Sequence, residues 1–215
     1  MKQVLYLGID PTHFKTDGQV IHYPIIRIVP RSEDDPGVVA LFENVRQYTH
    51  IIFTSKSAVC IFFLYMEKKG IDRSCLMRVQ MIVIGGVTAL HLRRHGFEPV
   101  MIANNTTQEG IIEALDTLDW EGVYFLLPRS SLSRSVLVDF FDQNHIRYDA
   151  VDLYDTVISE TAPIPNVESM DEIVFTSPSC VEAFYSLYGC IPEQTRCIAI
   201  GPITQAALQR KRVGL

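Results

Sequence analysis

Two hydroxyl-bearing turns occur twice in this 215-residue chain. "HIIFTSKSAV" begins at His50 and "EIVFTSPSCV" at Glu172, so Phe53 and Phe175 are 122 residues apart, as are Val59 and Val181. "VIGGVTALHL" and "AIGPITQAAL" form a second pair, with Gly85 to Gly201 and Thr88 to Thr204 both offset by 116. Each copy sets Ser, Thr and Gly where an apolar run ends and a helical pattern starts. A helix start presents free N–H groups and the positive end of the helix dipole, which suits a carboxylate or a phosphate. In "LLPRSSLSRSVL", Arg129 stands at a strand end and Arg134 in the first turn of the next helix. Basic side chains oppose the dipole there, so their placement points to an anionic ligand. A purely local reading exists for every hydroxyl: Ser57 and Ser179 as helix N-caps, Ser55 and Ser177 as turn residues, Thr88 and Thr204 as first-turn residues bonding locally. A cap can equally be Asp or Asn, so "FTS" written twice exceeds what capping demands. The ligand-binding candidates are therefore Ser55, Thr88, Arg129, Arg134, Ser177, Ser179 and Thr204. Ancestral duplication alone also accounts for the repeat.

Other chemistries lack their signatures. There is no G-x-x-x-x-G-K-[ST] loop, no G-x-G-x-x-G fingerprint and no nucleophile elbow. The six histidines are scattered, and the five cysteines (Cys60, Cys75, Cys180, Cys190, Cys197) form neither a C-x-x-C pair nor a zinc spacing. Those cysteines read as buried, reduced thiols of a cytoplasmic protein. A net charge of -6 gives no basic footprint for nucleic acid. The N-terminal "MKQVLYLGID" reads as a strand rather than a signal peptide. The longest apolar run, "AVCIFFLYM", is too short to span a membrane.

These residues need elements to hold them. The runs "HIIF", "VQMIVIG", "EPVMIA", "GVYFLLP" and "IRYDAVDLYDTV" read as strands. They alternate with helical patterns in "SAVCIFFLYMEKKG", "VTALHLRRHG", "TTQEGIIEALDTL" and "SSLSRSVLVDFFDQN", the third opening on a capping box from Thr106 to Glu109. "DDPGVVALFENVRQY" is a further helix, with Pro36 in its first turn. Such alternation predicts an α/β fold with doubly wound parallel sheets. The tail, residues 172–215, repeats strand, helix, strand, helix but buries too little surface to stand alone. The unused strand "KQVLYLG" completes it. The expected organisation is a discontinuous domain of residues 1–20 plus 158–215 and a similar domain of residues 32–145. Residues 21–31 and 146–157 would connect them as a two-stranded β-ladder.

Taken in order, "IIFTSKSAV", "VIGGVTA", "LLPRSSLSRSVL", "LYDTV", "IVFTSPSCV" and "AIGPITQAAL" resemble the uroporphyrinogen-III synthase family from about Tyr23 to about Leu208. The resemblance implies two α/β domains with a cleft between them. It implies a cofactor-free lyase that closes the linear tetrapyrrole hydroxymethylbilane to uroporphyrinogen III, inverting ring D and losing water. The substrate carries eight carboxylates, and hydroxymethylbilane synthase is the implied donor. Thr88 and Thr204 fall on the family's paired glycine-x-x-threonine positions, Ser55 and Ser177 on its threonine-serine turns, and Arg134 on a usual basic position. Tyr154 falls on its tyrosine-x-threonine, where the tyrosine helps the substrate's hydroxyl depart. The chain departs from the family pattern in "LGIDPTHFKTDGQVIHYP", which leaves almost no room for a helix after the first strand. A monomer acting without metal, nucleic acid or membrane is expected. Two other readings stay open: a non-catalytic binder of an anionic small molecule, and a homologue that keeps the fold without the activity.

Overall fold

The computed structural model describes residues 1–12, 14–116, 120–159 and 165–213. In chain order the strands and helices begin β1 (Gln3–Tyr6), β2 (Gln19–His22), β3 (Ile26–Pro30), α1 (Pro36–Glu43), β4 (His50–Phe53) and α2 (Lys56–Lys68). There follow β5 (Gln80–Val83), α3 (Gly86–Arg94), β6 (Met101–Ile102), α4 (Gln108–Leu115), β7 (Phe125–Ser130) and α5 (Val136–Gln143). The chain ends with β8 (Tyr148–Ile158), β9 (Glu172–Phe175), α6 (Pro178–Tyr188), β10 (Arg196–Ala199) and α7 (Pro202–Arg212). It forms two compact units, Met1–Arg27 with Thr156–Leu215, and Ile28–Asp155.

The second unit is built on a sheet of order β3-β8-β7-β4-β5-β6, with every pairing from β8 to β6 parallel. Its central strands β4, β5 and β7 are apolar on both faces, which is why "HIIF" and "MIV" read as continuous runs. Ile51, Phe53, Met81, Val83 and Leu126 point into one core with α1, α2 and α3. Ile52, Ile82, Phe125 and Leu127 point into another with α4 and α5. This sheet is doubly wound. α1 starts where Asp35 accepts from the Gly37 and Val38 N–H groups, with Pro36 in the first turn.

The first unit has four parallel strands in the order β10-β9-β1-β2. The N-terminal strand sits between β9 and β2, so both chain ends are needed to make the sheet. One face packs Leu5, Leu7, Ile173 and Phe175 against α6 and α7. On the other, Val4, Tyr6 and Val174 pack against the partly buried Phe14 and Ile198, with no helix among the described residues. The expectation of two doubly wound sheets therefore fails here. Among the described residues the β1–β2 connection holds no helix, and the Phe14 ring packs on this face, 5.1 Å from that of Tyr6.

The connector residues are built into the sheets, where β3 neighbours β8. β2 takes residues up to His22 into the four-stranded sheet, where it pairs with an edge of β1 that would otherwise be exposed. Tyr148–Tyr154 pairs in parallel with β7, so this stretch of residues 146–157 is a full strand of the six-stranded sheet. β3 lies on the other side of β8, the Arg31 N–H donating to the Leu153 carbonyl at 2.9 Å.

Candidate functional site

The paired motifs occupy the carboxyl ends of the strands, the edge where open α/β sheets bind ligands. In the Ile28–Asp155 unit, β4 ends in the Ser55 turn and β5 in the Gly85 turn. In the other unit, β9 ends in the Ser177 turn and β10 in the Gly201 turn. Each unit thus sets two helix starts behind neighbouring strands, and the two starts differ in chemistry.

The serine turns are occupied. Ser55 Oγ accepts from the Ala58 N–H at 3.0 Å and is the N-cap of α2. Ser177 Oγ accepts from the Cys180 N–H at 3.3 Å and is the N-cap of α6; Ser179 Oγ lies 3.3 Å from it. The cap is therefore the first serine of each "FTS" and not Ser57 or Ser179. Both cap residues adopt extended backbone, as N-caps do.

The glycine turns are open. α3 and α7 have Gly85 and Gly201 at their N-caps, and neither makes a side-chain cap bond. Thr88 and Thr204 are the third residues of these helices and are each 4% exposed. Among the described residues, no protein group hydrogen-bonds either hydroxyl, and no fully buried polar side-chain atom is left unpartnered. Each hydroxyl is thus packed on its sides while its oxygen still reaches solvent. An uncapped helix start with a threonine hydroxyl can donate several hydrogen bonds to one carboxylate. Each unit holds one such start.

Tyr154 reaches the first of the serine turns. The register of β7 with β8 slips between Arg129 and Ser130, so that Arg129 pairs with Asp152 but Ser130 with Tyr154. This bulge puts the adjacent side chains of Leu153 and Tyr154 into the same core, where strict alternation would separate them. The Tyr154 hydroxyl then lies 2.8 Å from Ser55 Oγ, and either oxygen can donate. Burial pushes the Tyr154 phenol up and the Ser55 bond pulls it the other way. The net rise keeps the phenol protonated at neutral pH, in the form that can donate.

The two candidate arginines are paired within the protein. Arg129 Nε donates to Asp152 at 2.9 Å. Arg134 donates to both oxygens of Glu109, at 2.6 and 2.8 Å. Both nonetheless line a small pocket with Thr54, Gln108 and Ser133 at the end of β4 and β7. Arg134 precedes α5 rather than lying in its first turn, and α4 is capped by Thr107 rather than Thr106. Sequence reasoning missed Gln108, which is buried and whose side-chain oxygen accepts from the Leu137 N–H at 3.1 Å. It serves the start of α5, where Ser135 makes no cap bond. Arg196 opens β10 beside Glu172, at the strand edge opposite the motifs.

The Arg134 bond, with the helix-start N–H groups, lowers the Glu109 carboxyl from its ordinary 4.5 to about 2. A depressed carboxylate contributes stability that is present above the unfolded value and fades as pH falls through the folded one. Glu109→Gln should therefore lower stability near neutrality and flatten its fall between pH 4.5 and about 2, below which variant and wild type converge. Urea midpoints across that range check this, and an unchanged acid slope contradicts it.

Residues 14–214 match the family described as uroporphyrinogen-III synthase HemD. The chain is 30% identical over 201 residues to the porphyrin biosynthesis protein HemD of Ruminiclostridium josui, an alignment covering 88% of this chain and 39% of that protein. It is 30% identical over 175 residues to a putative uroporphyrinogen-III synthase of Methanothermobacter thermautotrophicus, covering 74% and 68%. The fold resembles a crystal structure of a mutant uroporphyrinogen III synthase from Thermus thermophilus, with a TM-score of 0.70 at 15% identity, covering 98% of this chain and 89% of that one. It also resembles the Helicobacter pylori uroporphyrinogen-III synthetase, with a TM-score of 0.65 at 19% identity, covering 99% and 90%. The ordered motifs, the parallel α/β sheets and the match across residues 14–214 agree: this chain belongs to the uroporphyrinogen-III synthase family.

Proposed function

We propose that the chain is a uroporphyrinogen-III synthase, a lyase that converts hydroxymethylbilane to uroporphyrinogen III with inversion of ring D and loss of water. The observation that carries this reading is the pair of uncapped helix starts, Gly85 with Thr88 and Gly201 with Thr204, one in each compact unit. A linear substrate with eight carboxylates needs holding at several separated points, and two such starts supply donors for two of them. Ser55, Arg129 and Arg134, at the ends of β4 and β7 in one unit, and Ser177 and Ser179, at the end of β9 in the other, complete the proposed binding set. In this reading, residues 1–20 with 158–215 and residues 32–145 act as two domains joined by the paired β connectors.

The chemistry asks little of any single group. The substrate's hydroxymethyl carbon loses its hydroxyl, which leaves as water on taking a proton. Tyr154 is the proposed donor, because its phenol stays protonated and sits at the start of α2. The electron-poor carbon left on ring A is then attacked by ring D. Unaided, attack comes from the free ring position and gives the uninverted isomer. The protein's task is to hold rings A and D so that the substituted carbon attacks instead, which is catalysis by proximity and orientation.

Distributed holding predicts graded losses. Thr88→Ala or Thr204→Ala should each lower the rate about three- to tenfold, since a neutral hydrogen bond is worth about 0.5–1.5 kcal/mol. The double variant should lose more and release a rising share of the uninverted isomer. Chromatographic separation of the two isomers after oxidation reads this directly. Abolition of turnover by one threonine substitution in a folded protein would contradict distributed holding and require a single localised group.

A further inference from the structure

We propose that Cys60 and His91 form a reactive thiol–imidazole pair that takes up small anionic disulfides. Cys60 lies on α2 and His91 on α3, within one compact unit, with Sγ 3.4 Å from the imidazole Nδ1. The expectation of five buried thiols fails at this residue: Cys60 is exposed, as is Cys190. The two exposed thiols differ in company. Among the described residues Cys190 has no hydrogen-bonded base, whereas Cys60 has one. Cys180 is buried beneath the Ser177 turn, its sulfur facing the Leu7 carbonyl.

Two cations flank the pair. Lys56 lies one turn before Cys60 on α2, and Arg94 lies three residues after His91 on α3. Partial burial leaves the Cys60 thiol raised, and Lys56 and Arg94 pull it back only in part. The imidazole supplies what burial withholds, a proton acceptor already in contact. Thiolate character and access together decide which cysteine reacts.

The step is thiol–disulfide exchange. His91 Nδ1 takes the Cys60 S–H proton, and the thiolate attacks one sulfur of the incoming disulfide. The old S–S bond breaks, a new one joins Cys60 to half of the reagent, and the other half leaves as a thiolate that recovers the proton. One disulfide is consumed and one formed, so no other oxidant is needed. The flanking cations select a disulfide carrying carboxylates. The pair sits one turn behind the candidate site, five residues past Ser55 on α2 and three past Thr88 on α3.

The test incubates the folded protein with oxidised glutathione and follows adducts on each cysteine by peptide mass, with Cys190 as the exposed reference. Cys60 should react about tenfold faster than Cys190, as expected for a thiol with a base in contact. His91→Gln should slow Cys60 about tenfold and leave Cys190 unchanged. Cystamine, a cationic disulfide, should favour Cys60 less than oxidised glutathione does. A wild-type Cys60 rate no greater than that of Cys190 overturns the proposal whatever the variant does. So does an unchanged Cys60 rate in His91→Gln while Cys180 stays unlabelled, the sign of an intact fold.

Discussion

Gly201→Asp should cut kcat/KM about a hundredfold, the equivalent of about 2.7 kcal/mol, while leaving thermal stability equal or slightly raised. The two effects have opposite sign because they have different causes. Gly201 is the N-cap of α7 in extended backbone, φ -170° and ψ 163°, which any residue adopts. A Cβ built there meets nothing within 4 Å. Aspartate is a better cap than glycine by a few tenths of a kcal/mol, so the fold gains a little. The same carboxylate accepts the N–H groups that the substrate's carboxylate would use, and it repels that carboxylate. Charge-assisted bonds are worth about 1.5–3 kcal/mol each, which sets the size of the loss. Gly85→Asp is a poorer probe, since a Cβ there would lie 3.0 Å from Thr106 Cγ2 and the turn would have to shift. Unimpaired turnover in a stable Gly201→Asp protein would remove the α7 start from the site.

Tyr154→Phe should lower kcat about a hundredfold with little change in KM, the lower end of the range for a positioned general acid. The ring stays in the core and only the hydroxyl is lost, so packing is preserved. Ser55 keeps its bond from the Ala58 N–H, and α2 stays capped. A tyrosine that merely braces this turn would show its loss in the melting temperature and not in kcat. The two readouts therefore separate a chemical role from a structural one. Wild-type kcat in the phenylalanine variant would take Tyr154 out of the reaction.

Much of this arrangement was legible in the residue pattern, and the boundary of legibility is physical. Runs such as "HIIF" are apolar at consecutive positions because the six-stranded sheet is covered on both faces. Strand-helix alternation and the repeated turns follow from the same order of residues, so the parallel α/β architecture could be read directly. The paired glycine-x-x-threonine turns could be read too, but not that of the four repeated turns these two are the uncapped ones. Whether Ser55 or Ser57 caps α2 depends on where the first helical residue falls, a shift of two residues that periodicity does not resolve. The bulge beside Ser130 leaves no mark in composition, yet it aims Tyr154 at Ser55. The partners of Arg129 and Arg134 are 23 and 25 residues away in sequence, and only the folded sheet brings Asp152 and Glu109 to them. The Phe14 segment was hidden for a different reason: a single ring packed on a sheet face from a loop has no periodic signal at all.

The most direct measurement incubates the wild-type protein with freshly generated hydroxymethylbilane and resolves the product isomers. The account predicts that the inverted type III isomer dominates at catalytic protein concentration, and that Gly201→Asp returns the product toward the uninverted isomer formed in buffer alone. A wild-type protein, folded by its melting transition, that yields the same isomer ratio as buffer would contradict it.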